Sequence, residues 1–541
     1  WHLTFINIPD DFSSIQNAID YSYDTDTLLV QPGTYYEHIN FKGKAITLAS
    51  LILTTGDTTY ISQTIIDGSN NGRVITFNYG ENSNTILNGF TIQNGKVTEN
   101  NASGGGISCD NSSPTLKNLR VINNTAEGSW DSGLGGGLYS INSEALMQNI
   151  VFEENSSNYK GGAIFCEFSG LELIDVIIKN NYADYGGGIF NYGANVPSMN
   201  LENVAIKNNY AVELGGGIYF TAYSSADFSS SNRSNIFSNT AGNSIGADIY
   251  ADDCPIIDVV VDTFTVLNPT SYFASPLDNF TFDILNAAEP LIDADIYVSV
   301  DGDNDNSGTS PEEPFQTINY ALGSIFADET DPNTIHLAAG VYKSSTNGES
   351  FPITWGSHVN LSGSLDGESI VNASGSSRVI IFDNVEQISI ENITVKNGYW
   401  YWGAGIYCES SSPNFKNIVI TGNSASDFGA GIVLNNSSDA IFENVTITDN
   451  SADNEGSALR CSNSDPILKN SIIANNTGDN TVYISSGSPS IEYSNFYNNT
   501  GSNFAGNVNP WLGVNATVNT NGDSCDVFYN IKMNPLFEDP D

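Results

Sequence analysis

Apolar and polar residues alternate along this chain in short runs, never in long ones. In Asn203-Val204-Ala205-Ile206 the period is two, which sends alternate side chains to opposite faces of a strand. Gly, Asn and Pro break the runs too early for helices, and β-branched residues are frequent inside them. The best-formed example is Gly186 to Ala211, with runs at Ile189-Phe190, Ser198–Leu201 and Val204–Ile206. Three short strands and three turns in about 25 residues make one coil of a parallel β-helix.

The coil repeats. Glycine runs recur at Gly104–Ile107, Gly135–Leu138, Gly161–Ile164, Gly186–Ile189 and Gly215–Ile218, then at Gly403–Ile406, Gly429–Ile432 and, degenerate, Glu455–Leu459. The other end of the unit repeats as Asn123-Asn124-Thr125-Ala126, Asn180-Asn181-Tyr182-Ala183, Asn208-Asn209-Tyr210-Ala211, Asn423-Ser424-Ala425, Asn450-Ser451-Ala452 and Asn475-Asn476-Thr477-Gly478. Stacked coils lie about 4.8 Å apart, so asparagines at one position are expected to form an amide ladder. Ala, Leu, Glu and Lys are too scarce, and turn residues too frequent, for a helical repeat.

The pattern is laid down twice. Ser13–Tyr21 reads as a short amphipathic helix, with Asp10, Asp11 or Ser13 as candidate N-caps, and Pro314–Phe326 reads as a second. Thr91-Ile92-Gln93-Asn94-Gly95 has its counterpart in Thr394-Val395-Lys396-Asn397-Gly398. A solenoid end exposes apolar core and open strand edges and needs a cap. A second cap therefore predicts a second solenoid. The expected division is a first module over 1–266, a linker over 267–294 where Pro269, Pro276 and Pro290 cluster, and a second module over 295–541.

Charge narrows the partners. Against 62 acidic residues stand 17 Lys and Arg, a net charge of −45, which argues against nucleic acid and anionic membranes. No apolar run is long enough to span a bilayer, so no membrane insertion is expected. The start Trp1-His2-Leu3 reads as a trimmed product, and sequence is expected to continue beyond Asp541.

The cap helix followed by VQPGTYYEHINF and GKAITL resembles the opening of secreted right-handed β-helix proteins of the pectate-lyase-like superfamily. Ile296–Thr309, leading to Pro314-Phe315, is similar to the start of the same class, and the GGGI…NNTA coils resemble repeats of polymorphic outer-membrane proteins. The resemblance implies an all-β fold of two tandem right-handed parallel β-helices, each with an N-terminal cap helix. It also implies an extracellular or cell-surface place of bacterial type, with an anchor beyond this stretch. It leaves activity open, because the superfamily holds lyases, hydrolases, tailspikes and adhesins.

Three sets of residues carry candidate chemistry. Lys117, Lys416 and Lys469 share the frame P-x-[LF]-K-N, so they hold one repeated coil position and read as a surface ladder and not as lone catalytic bases. Asp301, Asp303, Asp305, Ser307 and Glu312 offer alternating hard oxygens of the kind calcium takes, although Asn306 stands where an EF-hand loop has glycine. The turn before each glycine run carries Trp130, Tyr159, Tyr185 and Leu214, then Tyr399, Trp400, Tyr401, Trp402 and Phe428. The four adjacent aromatics at Tyr399–Trp402 cannot all point inward and are the expected ligand-binding face. Cys109 with Cys166, and Cys408 with Cys461, sit two coils apart, beyond disulfide reach, and are expected to be buried thiols.

The expected function is a non-catalytic surface scaffold or adhesin that binds carbohydrate or other copies of itself. A polysaccharide lyase or glycosidase on the same fold, and a filament subunit, are the alternatives.

Overall fold

The computed structural model describes residues 5–98, 102–128, 132–193, 198–242 and 245–537. The chain divides into two compact units, Trp1–Glu289 and Pro290–Asp541. Each is an all-β parallel solenoid with little helix. Among the described residues every pairing between strands is parallel, except that of Thr517–Val518 with Ser524–Cys525. No helix among them is long and apolar enough to cross a membrane.

One coil of the first unit shows why the sequence folds this way. Strand Ile189–Tyr192 pairs with Ile164–Glu167 before it and Ile218–Thr221 after it, so that Ile164, Ile189 and Ile218 align and all point into the core. Gly186 has φ +64, a left-handed turn closed to most side chains, and a Cβ on Gly187 would lie 2.3 Å from the Tyr210 carbonyl of the next coil. Both glycines are demanded by backbone.

The second corner is tighter than three separate strands require. Thr115–Ile122 is one extended element that pairs with both Ile86–Asn88 and Thr91–Gln93. The turn within it has shrunk to a single left-handed residue, Asn118 at φ 51, and Asn149 and Asp175 repeat it. Asn and Asp tolerate that conformation because their short polar chains bond locally. Outside the core, Asn118 Nδ2 donates to Asn88 Oδ1 and Asn149 Nδ2 to Asn118 Oδ1, each at 2.7 Å.

The third corner carries the buried amide ladder. Asn124 Nδ2 donates to Asn155 Oδ1 at 3.0 Å, Asn155 to Asn181 at 3.1 Å, Asn181 to Asn209 at 2.9 Å and Asn209 to Asn239 at 3.0 Å. The second unit builds the same column from Asn423, Asn450, Asn476 and Asn499. Each amide also donates to a main-chain carbonyl, as Asn155 does to Val121. The column thus pairs its side-chain amides inside the coil.

The helices are shorter than the sequence pattern suggested. The first runs Ile15–Tyr21 with Ser14 as its N-cap, in place of Asp10, Asp11 or Ser13; the second runs Ile318–Ser324, capped by Thr317. Pro314 lies ahead of that cap, outside the helix. Each helix start is also gripped from a distance. Glu37 accepts the Ile15 and Gln16 amides, and the buried Glu349 accepts those of Ile318 and Asn319.

The linker expected over 267–294 is corrected. Ala274–Ser275 pairs with Ile249–Asp252, and Phe280–Ala287 runs along the whole of Ile257–Phe264. The coil continues because Pro276 falls at a corner, where its missing amide proton breaks no ladder. The six cysteines are free thiols, with Ser140 between Cys109 and Cys166 and Leu434 between Cys408 and Cys461.

Candidate functional site

Tyr399–Trp402 is a short strand paired with Ser424–Phe428, which pairs in turn with Ser451–Ala452. The register joins Tyr399 to Ser424, Trp400 to Ala425 and Trp402 to Phe428, with a slip at Tyr401. That slip lets neighbouring rings share the outer side. Tyr399, Trp400 and Tyr401 are exposed, at 50%, 44% and 59%, whereas Trp402 is half-buried with its ring 5.3 Å from that of Phe428. The hydroxyl of Tyr401 bonds to Asp427, which raises its pKa above the usual phenol range.

The neighbouring sheet supplies cations. Its outward register runs Tyr407, Val433, Arg460, Tyr483. Arg378 lies 4.3 Å over the Tyr407 ring and 5.6 Å from that of Trp400, and its Nε donates to the Trp402 carbonyl at 3.1 Å. Arg460 lies 4.1 Å over Phe428. Burial first, then its bond to Glu409 at 2.8 Å, pushes the Tyr407 hydroxyl up. Tyr399 also lines a cleft of about 480 Å³ with Ser374, Asn397 and Ser424. The face therefore combines flat apolar rings, two guanidinium groups and an open cleft, a set suited to hydroxylated rings.

The acidic loop is built differently from a metal cage. Asp301, Asp303, Asp305, Ser307 and Glu312 are all exposed, and the residues between them close the turn. Asn304 Oδ1 accepts the Gln316 and Thr317 amides, and Asn306 Nδ2 donates to the Pro314 carbonyl at 2.8 Å. Ser307 Oγ donates to Glu313 at 2.8 Å, not to Glu312. Among the described residues no group of three or more His, Cys, Asp or Glu is arranged to hold a metal.

Comparison with known proteins places the coils. The family model described as "Right handed beta helix region" matches residues 360–527, which span the cleft, both arginines and most coils of the second unit. This chain is a right-handed β-helix repeat protein. A second model, "Protein of unknown function (DUF1565)", matches residues 300–381 of the β-helix. "Uncharacterized protein YwoF" of Bacillus subtilis (strain 168) is 31% identical over 121 residues, which take in 22% of the β-helix chain and 25% of that relative. The matched stretch is thus a quarter of the relative's length. Among solved structures, the PL6 family alginate lyase AlyGC is 13% identical with a TM-score of 0.20, over 94% of this chain and 96% of its own. A variant of sacteLam55A from Streptomyces sp. SirexAA-E in complex with glucose is 11% identical with a TM-score of 0.18, over 94% and 88%. Likenesses this weak carry no argument about the β-helix.

Elsewhere on the β-helix the lysines alternate with acids. Glu391, Lys416, Glu443, Lys469 and Glu492 occupy one register line across successive coils, and Lys469 reaches Glu492 at 3.9 Å. Of the turn aromatics in the first unit, Tyr159 and Tyr185 pack edge to face at 5.9 Å, and Trp130 lies outside the described residues. A larger aromatic set escaped the sequence reading. Tyr139, Phe165, Phe190, Tyr219 and Tyr250 stack as one outer column, with centroids 5.6, 5.6, 4.7 and 4.8 Å apart. The signal was present: each is the residue after the coil's aligned Ile or Leu.

Proposed function

We propose that this chain is a non-catalytic extracellular scaffold of two tandem β-helix modules, each started by its own cap helix, and that the second module binds carbohydrate through Tyr399–Trp402. The carrying observation is the run of three exposed rings bordered by Arg378 and Arg460. At the matching turn of the first unit Tyr159 and Tyr185 pack edge to face, so leaving Tyr399, Trp400 and Tyr401 uncovered costs solvation that a ligand would recover. The matching grip of Glu37 and Glu349 on the two helices supports the reading of twin caps.

A polysaccharide-active enzyme is the second reading. The observation in its favour is the Tyr407 hydroxyl, bonded to Glu409 and overlaid by Arg378, a proton-sharing pair beside a cation. One experiment separates the two: the purified chain is screened on a glycan array and for polysaccharide breakdown. Binding without cleavage, lost in Trp400→Ala, supports the scaffold. New reducing ends or unsaturated products, lost in Tyr407→Phe, overturn it.

A further inference from the structure

The two units carry the same arginine at the same place in the coil, and they use it differently. Arg73 stands two residues before Ile75, which pairs with Ile107; Arg378 stands two residues before Ile380, which pairs with Ile406. Each sends Nε to the carbonyl just ahead of the first glycine run, Arg73 to Ser103 at 3.2 Å and Arg378 to Trp402 at 3.1 Å. In the second unit the outward residue after Ile406 is Tyr407, and the guanidinium lies over its ring. In the first unit the outward residue after Ile107 is Ser108. No ring is there.

That position is the missing first member of the aromatic column. Ser108 pairs with Tyr139, where the column begins, and Gly104 lets Tyr139 lie close, since a Cβ on it would sit 3.0 Å from that of Tyr139. The result is a pocket of about 320 Å³ lined by Arg73, Asn78, Ser108, Asp110, Leu134 and Tyr139. Arg73 binds carbonyls through Nε and Nη2, which leaves Nη1 with no partner among the described residues. The size is at the small end for a ligand site.

We propose that this pocket binds a single neutral pyranose, whose ring takes the place of the absent aromatic one coil before Tyr139. The column's own spacing sets where that ring lies, about 5 Å from Tyr139. One sugar face covers the Tyr139 ring, and the hydroxyls meet a donor in Arg73, an acceptor in Asp110 and both kinds in Ser108 and Asn78. Asp110 offsets the charge of Arg73, which selects a neutral sugar over an acidic one. The site lies within the first unit and does not depend on the Tyr399–Trp402 face.

The test is saturation-transfer NMR on the full chain with methyl glycosides of glucose, galactose, mannose and N-acetylglucosamine. At least one is expected to receive saturation from the Trp400→Ala chain, in which the aromatic face is disabled, with binding weakened about tenfold or more when Ser108→Tyr is added. Ser108→Tyr imitates Tyr407 and fills the gap. Should circular dichroism show that variant unfolded, Tyr139→Leu replaces it with the same expected loss. No saturation of any glycoside overturns the proposal, as does saturation that survives both Ser108→Tyr and Tyr139→Leu in the Trp400→Ala chain.

Discussion

Asp248 ends the asparagine column of the first unit: its Oδ1 accepts the Asn239 Nδ2 amide at 2.9 Å, where every earlier member offers an amide oxygen. The acid comes from nine residues onward, not from the next coil's asparagine position. It is wholly buried, and its Oδ2 has no hydrogen-bond partner among the described residues. Burial foremost, with Glu289 adding to it and Thr265 and Asn239 opposing, pushes the carboxyl up from 3.8 to about 7. A carboxyl raised on folding binds its proton more tightly in the native state. Its contribution is therefore full below about pH 4 and is lost as pH rises through 7. Thermal melts should show the first unit losing stability between pH 4 and pH 8, by roughly 4 kcal/mol at most. Asp248→Asn should continue the column and flatten that dependence; an unchanged slope would refute the assignment.

The column itself is expected to be expensive to interrupt. Asn155→Ala removes the acceptor of the Asn124 main-chain and side-chain amides and the donors to Val121 and Asn181. Leaving such groups buried and unpaired should cost about 3 kcal/mol or more, read as a lower urea midpoint. Asn118→Ala, at an outer left-handed corner, should cost less.

The distant carboxylates that hold the helices differ in burial, and this orders their effects. Glu349 is fully buried and also accepts the Asn319 side chain, while Glu37 is half-buried. Glu349→Ala should destabilise the second unit by about 2–3 kcal/mol, and Glu37→Ala the first unit by about 1 kcal/mol, in chemical melts. Burial also holds the Glu349 carboxyl above its usual range, so the second unit too should lose stability as pH rises past the usual carboxyl range.

On the aromatic face, Trp400 and Trp402 should separate binding from stability. Trp400 is exposed, so Trp400→Ala should lower glycan affinity about tenfold or more with an unchanged melt. Trp402 packs on Phe428, and Trp402→Ala should lose both affinity and about 2 kcal/mol of stability.

The acidic loop is held shut by Asn304 and Asn306. Excess chelator should then leave the thermal midpoint within a degree or so of its value in calcium, whereas Asn304→Ala should lower it. A large drop on chelation would establish calcium at Asp301, Asp303, Asp305, Ser307 and Glu312.

Much of the architecture was legible in the order of residues because a solenoid writes its contacts locally. Each coil meets only its neighbours, so Gly186, Asn209 and Ile189 face copies of themselves and the repeat in sequence is the repeat in space. Period-two runs, glycine corners and the asparagine column all follow from that, as does the outward strand Tyr399–Trp402, whose four rings exceed what one corner can bury.

Other relations needed the fold. Asp248 replaces an asparagine from a different position in the coil, and Glu349 reaches Ile318 across 31 residues, because the height of a side chain on the solenoid depends on how loops of unequal length close. Arg378 joins Trp400, and Arg460 joins Phe428, only where two sheets meet at a corner. The gap over Ser108 is likewise a property of stacking: one small residue becomes a pocket when the coil above supplies a tyrosine and the coil below an arginine. Composition and period determined the coil; the pairing of unlike residues between coils was decided by register, which only the closed chain sets.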